Sequence, residues 1–288
     1  MEIVKIKILT VFGLLFGFGL IFLGFGELGQ KTASDDFGYR VVKSWQLPDA
    51  LREVSGIAWL DDGRIAAVQD EEGSIFIFDP KTGKIAREID FAGAGDYEGI
   101  AVKGDDAYVL RSDGAIFEIV DFRDDKRKIS VHTTPFSRKN DMESLEWDPG
   151  NGRLLIAPKY NDPNSARFKG IYSFSSVSKK VEEAPVFQID MGDEILNRYR
   201  KKDIGKTFRP SDLAIHPKTK DIYILDGAKP KLLILTADGE AKQVYAFDEN
   251  DFPQPEAITF CPDGTLYIAS EAKKENPAML YLFKMGDR

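Results

Sequence analysis

The sequence predicts an all-β protein, a five-bladed β-propeller preceded by one N-terminal transmembrane helix. Three observations carry this: nineteen consecutive uncharged residues near the start, a short segment that recurs five times after them, and strand-like runs that follow each recurrence in the same order. The 288 residues carry 39 Lys plus Arg against 47 Asp plus Glu, a formal net charge of −8. That balance argues against nucleic acid as a partner, because phosphates need clustered cations to release their counterions. At 43% hydrophobic and 30% charged the composition is that of a folded chain, so general disorder is excluded. Cys261 is the only cysteine, which rules out an intramolecular disulfide, and with only His132 and His216 a cysteine or histidine zinc site is not expected.

Residues 1–27 form the expected membrane anchor. The uncharged run 8–26, ILTVFGLLFGFGLIFLGFG, reaches roughly 28 Å at about 1.5 Å per residue, close to the ~30 Å of a hydrocarbon core. Lys5 and Lys7 supply the positive flank that stays in the cytoplasm, which places everything after Glu27 on the extracytoplasmic side. A cleaved signal peptide is the rival, but its apolar stretch is usually shorter and ends in a small-x-small site that is not evident here. Gly13 and Gly17 make a GxxxG pair, a cheap match in a run with five glycines. Glu2, Lys5, Lys7 and Glu27 cancel, so the whole excess of acid belongs to the remainder. Residues 28–39 read as a polar linker and 40–288 as the propeller.

The recurring segments are VSGIAWL (54–60), YEGIAVK (97–103), MESLEWDP (142–149), PSDLAIHP (210–217) and PEAITFCP (255–262). Aligned on their second residue they fall at 55, 98, 143, 211 and 256, so three of the four spacings are 43, 45 and 45 and one is 68. A period of this size is the mark of a propeller blade, and the long interval places an insertion in the third unit. Each segment is a first strand, followed by a turn: Asp62-Gly63, Gly104-Asp105, Asn151-Gly152, Lys220-Asp221 and Asp263-Gly264. Second strands follow as RIAAVQD, DAYVLRS, RLLIAPK, DIYILDG and TLYIASE, all rich in the branched and aromatic residues that strands favour. Third strands are SIFIFDP, AIFEIVDF, GIYSFSS, KLLILTA and MLYLFKM; fourth strands are IAREIDF, KISVHTT, APVFQID and AKQVYAF. The fifth unit lacks a fourth strand, and RVVKSWQL (40–47) is an orphan ahead of the first, so the orphan is expected to complete the fifth unit and close the ring. A β-sandwich is the alternative, since short strands at this spacing also pair face to face.

In antiparallel blades whose first strand lies nearest the axis, the start of strand one and the end of strand two share one face, the mouth. The column at the start of strand one reads Ser55, Glu98, Glu143, Ser211 and Glu256. Three carboxylates near one axis repel and raise one another's pKa unless a cation sits among them. A hard ion such as Ca²⁺, which takes six to eight oxygens, suits that set, and Glu98, Glu143 and Glu256 are the candidate metal ligands. The plain alternative is that they are solvated turn residues. Strand two contributes Asp70, Ser112, Lys159, Asp226 and Glu271 to the same mouth, as a second ring with Lys159 paired to an acid, or as ordinary polar caps. The third unit adds two excursions over the mouth, 160–170 and 190–209. The second carries Arg198, Arg200, Lys201 and Lys202, with a short helix expected from Glu194. That charge run suits an acidic partner or lipid head groups, or is a solvated helix face.

These segments, EVSGIAW, DYEGIAV, DMESLEW, RPSDLAI and QPEAITF with the closing DGTLYIASE, resemble the SdiA-regulated family of bacterial envelope proteins, distantly related to NHL-repeat propellers. The resemblance covers most of the chain beyond the anchor. It implies an N-terminal membrane segment or lipid anchor, a five-bladed propeller and a shared calcium site, and it supports Glu98, Glu143 and Glu256 as ligands; it implies no activity. No cysteine follows the apolar run to take a lipid. The expected function is an anchored extracytoplasmic module that binds Ca²⁺ and recognises a protein or small-molecule ligand at its mouth. The alternative is a calcium-dependent hydrolase of esters, lactones or phosphoesters, which requires an open metal position and a base. His132, taken to precede strand four of the second unit at the outer edge, and His216, after strand one, are badly placed for that role, leaving Asp226 or Glu271. GxSxG, HExxH and P-loop motifs do not occur, and GAGDYEG (93–99) misses the dinucleotide fingerprint because Glu98 stands at its third glycine.

Overall fold

The computed structural model describes residues 38–285. The anchor expected at 1–27 and most of the linker lie outside the described residues; among the described residues no helix is long and apolar enough to cross a membrane. Twenty strands form five four-stranded antiparallel sheets. Blade one is β2 (Val54–Trp59), β3 (Ile65–Gln69), β4 (Ser74–Asp79) and β5 (Lys84–Asp90). Blade two is β6 (Tyr97–Lys103), β7 (Asp106–Arg111), β8 (Ile116–Val120) and β9 (Lys128–His132); blade three is β10 (Met142–Asp148), β11 (Arg153–Pro158), β12 (Phe168–Ser175) and β13 (Phe187–Asp190). Blade four is β14 (Asp212–Ile215), β15 (Ile222–Asp226), β16 (Lys231–Leu235) and β17 (Ala241–Ala246). Blade five is β18 (Pro255–Phe260), β19 (Leu266–Ser270) and β20 (Met279–Met285), completed by the N-terminal β1 (Tyr39–Gln46).

β1 pairs antiparallel with β20, from Tyr39 opposite Met285 to Gln46 opposite Met279, so the orphan strand does close the ring. It starts one residue earlier than the sequence suggests, at Tyr39, whose ring is buried against Phe247, Phe252 and Phe283. Trp45 Nε1 donates to Pro80 O at 2.7 Å, tying the closing strand to blade one.

Sheets become a ring because their inner strands bury both faces. In β3, Ile65 and Ala67 pack toward blade five, while Ala66 and Val68 pack toward blade two. Five apolar layers result, one between each pair of neighbouring blades. This is why the second and third strands read as continuous apolar runs, whereas β5 and β9 are largely exposed. A two-sheet sandwich is thereby excluded. Near the axis the first strands press together: a Cβ on Gly99 would stand 2.8 Å from Leu145 Cβ and 2.9 Å from Glu143 O, so only glycine fits there. The first turn of each blade holds one residue at positive φ, Gly63, Gly104, Gly152 and Gly264 in four and Lys220 in blade four.

Three further details differ from the sequence expectation. β12 begins at Phe168, so the first excursion ends at Arg167, three residues before Gly170, and His132 ends β9 instead of preceding it. The helix expected from Glu194 is a 3-10 helix, Glu194–Tyr199, whose first turn is capped by Asp193 accepting the Ile195 N–H at 2.9 Å. Leu196, Met191 and Phe208 bury this excursion into the layer between blades three and four.

Candidate functional site: the acidic mouth

The column predicted from the repeat coincides with a backbone irregularity. The β2–β3 ladder skips from Val54 to Gly56, β6–β7 from Tyr97 to Gly99, β10–β11 from Met142 to Ser144, and β18–β19 from Pro255 to Ala257. Ser55, Glu98, Glu143 and Glu256 are therefore the extra residues of four β-bulges, a device that re-aims a side chain out of the pleat. In blade four Ser211 sends its N–H to Leu225 O at 2.9 Å, although Leu225 already faces Asp212.

The structure brings these residues together around Lys159. Its Nζ lies 2.7 Å from Glu143 Oε2 and 3.8 Å from Glu256 Oε2. Burial opposes the Lys159 charge, but Glu143, Glu256 and Glu98 together hold its pKa above the ordinary lysine value. Glu143 and Glu98 are pushed well above the ordinary carboxylate range, first by burial, then by Glu98 acting on Glu143 and by Asp96 hydrogen-bonded to Glu98. Burial likewise raises Glu256. Its Oε2 is buried and makes no hydrogen bond. Fully ionised, three carboxylates against one ammonium would leave two uncompensated negative charges, so without a further cation these groups hold protons more tightly.

The second ring divides. Glu271 is raised to about 8 by burial and by Glu256, Glu53 and Asp70, and Asp70 to about 6 by burial and by Glu53 and Asp96. Both belong to the acidic mouth, and Asp70 Oδ1 is also buried without a hydrogen bond. Ser112 Oγ donates to Asp96 Oδ2 at 2.5 Å, positioning the carboxylate beside Glu98. Asp226 is spent elsewhere: it pairs with buried Lys231 and accepts the Arg209 N–H at 3.0 Å and the Lys229 N–H at 3.2 Å. Ser55 donates to Tyr97 O at 2.6 Å, whereas the Ser211 hydroxyl accepts from Gly227 N at 2.8 Å and hydrogen-bonds the Glu256 carboxyl. Among the described residues no three His, Cys, Asp or Glu side chains stand together at metal-ligand spacing.

Sequence reasoning overlooked Glu53, Asp96 and Asp141, three further acids of the mouth. They occupy one more aligned column, two residues before the first, which continues as Arg209 in blade four and Gln254 in blade five. That column was open to inspection; what hid it was its position outside the apolar repeat. His132, at the outer edge, lies 2.8 Å from Glu118 Oε2, and His216 Nδ1 accepts backbone N–H groups of its own turn. Neither reaches the mouth.

Among solved structures, the chain is similar to a glutaminyl cyclase from Myxococcus xanthus, with a TM-score of 0.60 and 13% identity over 86% of this chain and 96% of that one. It is similar to an aldose sugar dehydrogenase from Streptomyces coelicolor in its PQQ-bound form, with a TM-score of 0.51 and 14% identity over 85% and 97% of the two chains. At these identities the likeness shows the propeller fold alone. A search of curated proteins returns no match. The family described as SdiA-regulated matches residues 30–284, nearly the whole repeat region, and with five blades, the closing strand and the bulged column in place, the chain belongs to the SdiA-regulated family.

Proposed function

We propose that this protein is an extracytoplasmic, membrane-anchored propeller that binds Ca²⁺ at its mouth and serves there as a binding module for a protein or small-molecule ligand. The observation that carries the metal is the buried Glu256 Oε2 with no hydrogen bond, set with Glu98 and Glu143, which Lys159 alone leaves well above the ordinary carboxylate range. The donor chemistry suits a hard divalent cation, which Glu98, Glu143 and Glu256 would hold by drawing closer together than they stand here. When bound, the ion supplies the missing positive charge and an oxygen-coordinating centre. Lys159 holds Glu143 and Glu256 in place, and Ser112, through Asp96, holds Glu98. Support for the anchor is the uncharged run at 8–26 behind Lys5 and Lys7.

Calorimetric titration of the full chain in detergent with Ca²⁺ tests this. Saturable binding is expected, with a Kd of roughly 10–1,000 μM, weakened at least about tenfold when Glu98→Gln and Glu143→Gln are combined. Absent binding, or unchanged affinity in the double variant, sinks the metal site. The hydrolase alternative needs a base, and Glu271, raised to about 8 and hence protonated at neutral pH, is unsuited to that role. Its other candidate, Asp226, is consumed by Lys231. Turnover of an ester, lactone or phosphoester that needs calcium and disappears in the double variant overturns the binding-module reading.

A further inference from the structure

The mouth has a second, oppositely charged side, built by blades three and four. Arg209 precedes β14, Lys229 lies in the β15–β16 turn, and Lys201 follows the 3-10 helix after β13. By strand direction all three stand on the mouth face. Arg209 lies over the Tyr160 ring at 5.8 Å, so the two excursions of blade three meet beside Lys159. Beneath them Lys169 and Lys231 are each 1% exposed. Lys169 Nζ donates to Lys159 O at 3.0 Å, and Lys231 pairs with Asp226.

The charges here do not balance. The acids near the five cations are Asp162, Asp203 and Asp226; Asp203 is matched by Lys206 at 3.3 Å, and Asp226 by Lys231. Asp162 accepts the Gly170 N–H at 2.6 Å and the Tyr172 hydroxyl at 3.1 Å. Among the described residues Lys201, Arg209 and Lys229 form no ion pair; the Arg209 and Lys229 N–H groups both bond the Asp226 carboxylate, which sets these residues side by side, and exposed Lys201 lies close enough for Lys229 to lower its pKa. Two ammonium groups beside a guanidinium repel one another, and an anion held between them would relieve that repulsion. The Tyr199 hydroxyl is buried nearby without a hydrogen bond, its ring 5.3 Å from Lys231 Nζ.

We propose that Lys201, Arg209 and Lys229 form a binding site for a phosphoryl dianion, carried by a small phosphate monoester or a lipid head group. A dianion is favoured over a carboxylate because three cations lack an ion-pair partner and the Arg209 fork donates to two oxygens at once. The site extends the proposed binding role of the mouth to a ligand of defined charge, yet it uses none of the metal candidates.

Titration of the full chain in detergent with inorganic phosphate, in the presence of chelator, reads the site directly. Millimolar or tighter binding is expected, lost by at least about tenfold when Lys201→Gln and Lys229→Gln are combined and weakened in Arg209→Gln, while acetate at equal ionic strength does not bind. Binding should survive in the Glu98→Gln, Glu143→Gln variant, which separates this site from the calcium proposal. Three results overturn it: no phosphate binding below about 10 mM, equal affinity in the lysine double variant, or phosphate binding that requires calcium. Glycerol 3-phosphate against a short-chain phosphatidic acid then distinguishes the source. A gain from the acyl chains assigns a lipid head group, no gain assigns a soluble ester, and either keeps the site.

Discussion

Asp226 shows how far a single residue can be misjudged from its position in a repeat. It ends a second strand at the mouth, where a free carboxylate serves as a base, but in the fold it is 2% exposed and paired with Lys231, itself 1% exposed. Removing one member of such a pair strands the other charge in a low dielectric. Asp226→Asn is therefore expected to lower unfolding stability by about 3–5 kcal/mol in urea, with most of that recovered by adding Lys231→Met. A loss below about 1 kcal/mol in the single variant would show that Lys231 finds another partner. Lys159 was legible in the sequence as a cation facing acids. Lys169 and Lys231 were not, because nothing local marks a strand lysine as buried; what buries them is the packed excursion of blade three, with Phe208 and Tyr199 against Lys231.

Between blades there is no backbone ladder, so side chains satisfy the inner strands. Asp212 Oδ2 accepts the Ile258 N–H at 2.9 Å, Thr259 Oγ1 accepts the Trp59 N–H at 3.2 Å, and Glu146 Oε1 accepts the Ile215 N–H at 3.3 Å. Burial pushes Glu146 up to about 8 from an ordinary 4.5. A carboxyl whose folded pKa is raised stabilises the fold fully below its unfolded value and loses that contribution as pH rises through the folded one. Folding stability is thus highest in acid and declines between pH 4.5 and about 8 as the buried carboxyl ionises, although the Ile215 N–H bond itself favours the charged form. Glu146→Gln keeps an acceptor without a charge, so its thermal midpoint is expected to fall less than that of the parent between pH 5 and 8; equal slopes in scanning calorimetry count against the assignment. The sequence showed the first strands and their glutamates, but not the bulges that turn Glu98, Glu143 and Glu256 toward one another. A bulge is a mismatch between two strands, and only the paired partner reveals it.

At the scale of the whole molecule, closure depends on β1. Without it β20 presents an unpaired edge, a template for aggregation, and the layer shared by Tyr39, Phe252 and Phe283 is open to water. Deleting residues 1–46 is expected to abolish cooperative unfolding, whereas deleting 1–37 leaves the thermal midpoint unchanged; a cooperative transition in the longer deletion would refute the closing role. The sequence by itself determined the number of blades, the strands within them, the place of the insertion and the strand that closes the ring. These follow from alternation and spacing, which each unit repeats locally, with turn residues punctuating them. Only the tertiary structure decided which charges meet. It gathers Glu98, Glu143, Glu256 and Glu271 on one side of the mouth, Lys201, Arg209 and Lys229 on another, and Lys159 between. Electrostatic energy depends on distance and burial across the axis, and residues as far apart in sequence as Glu53 and Glu271 acquire both only when the ring closes.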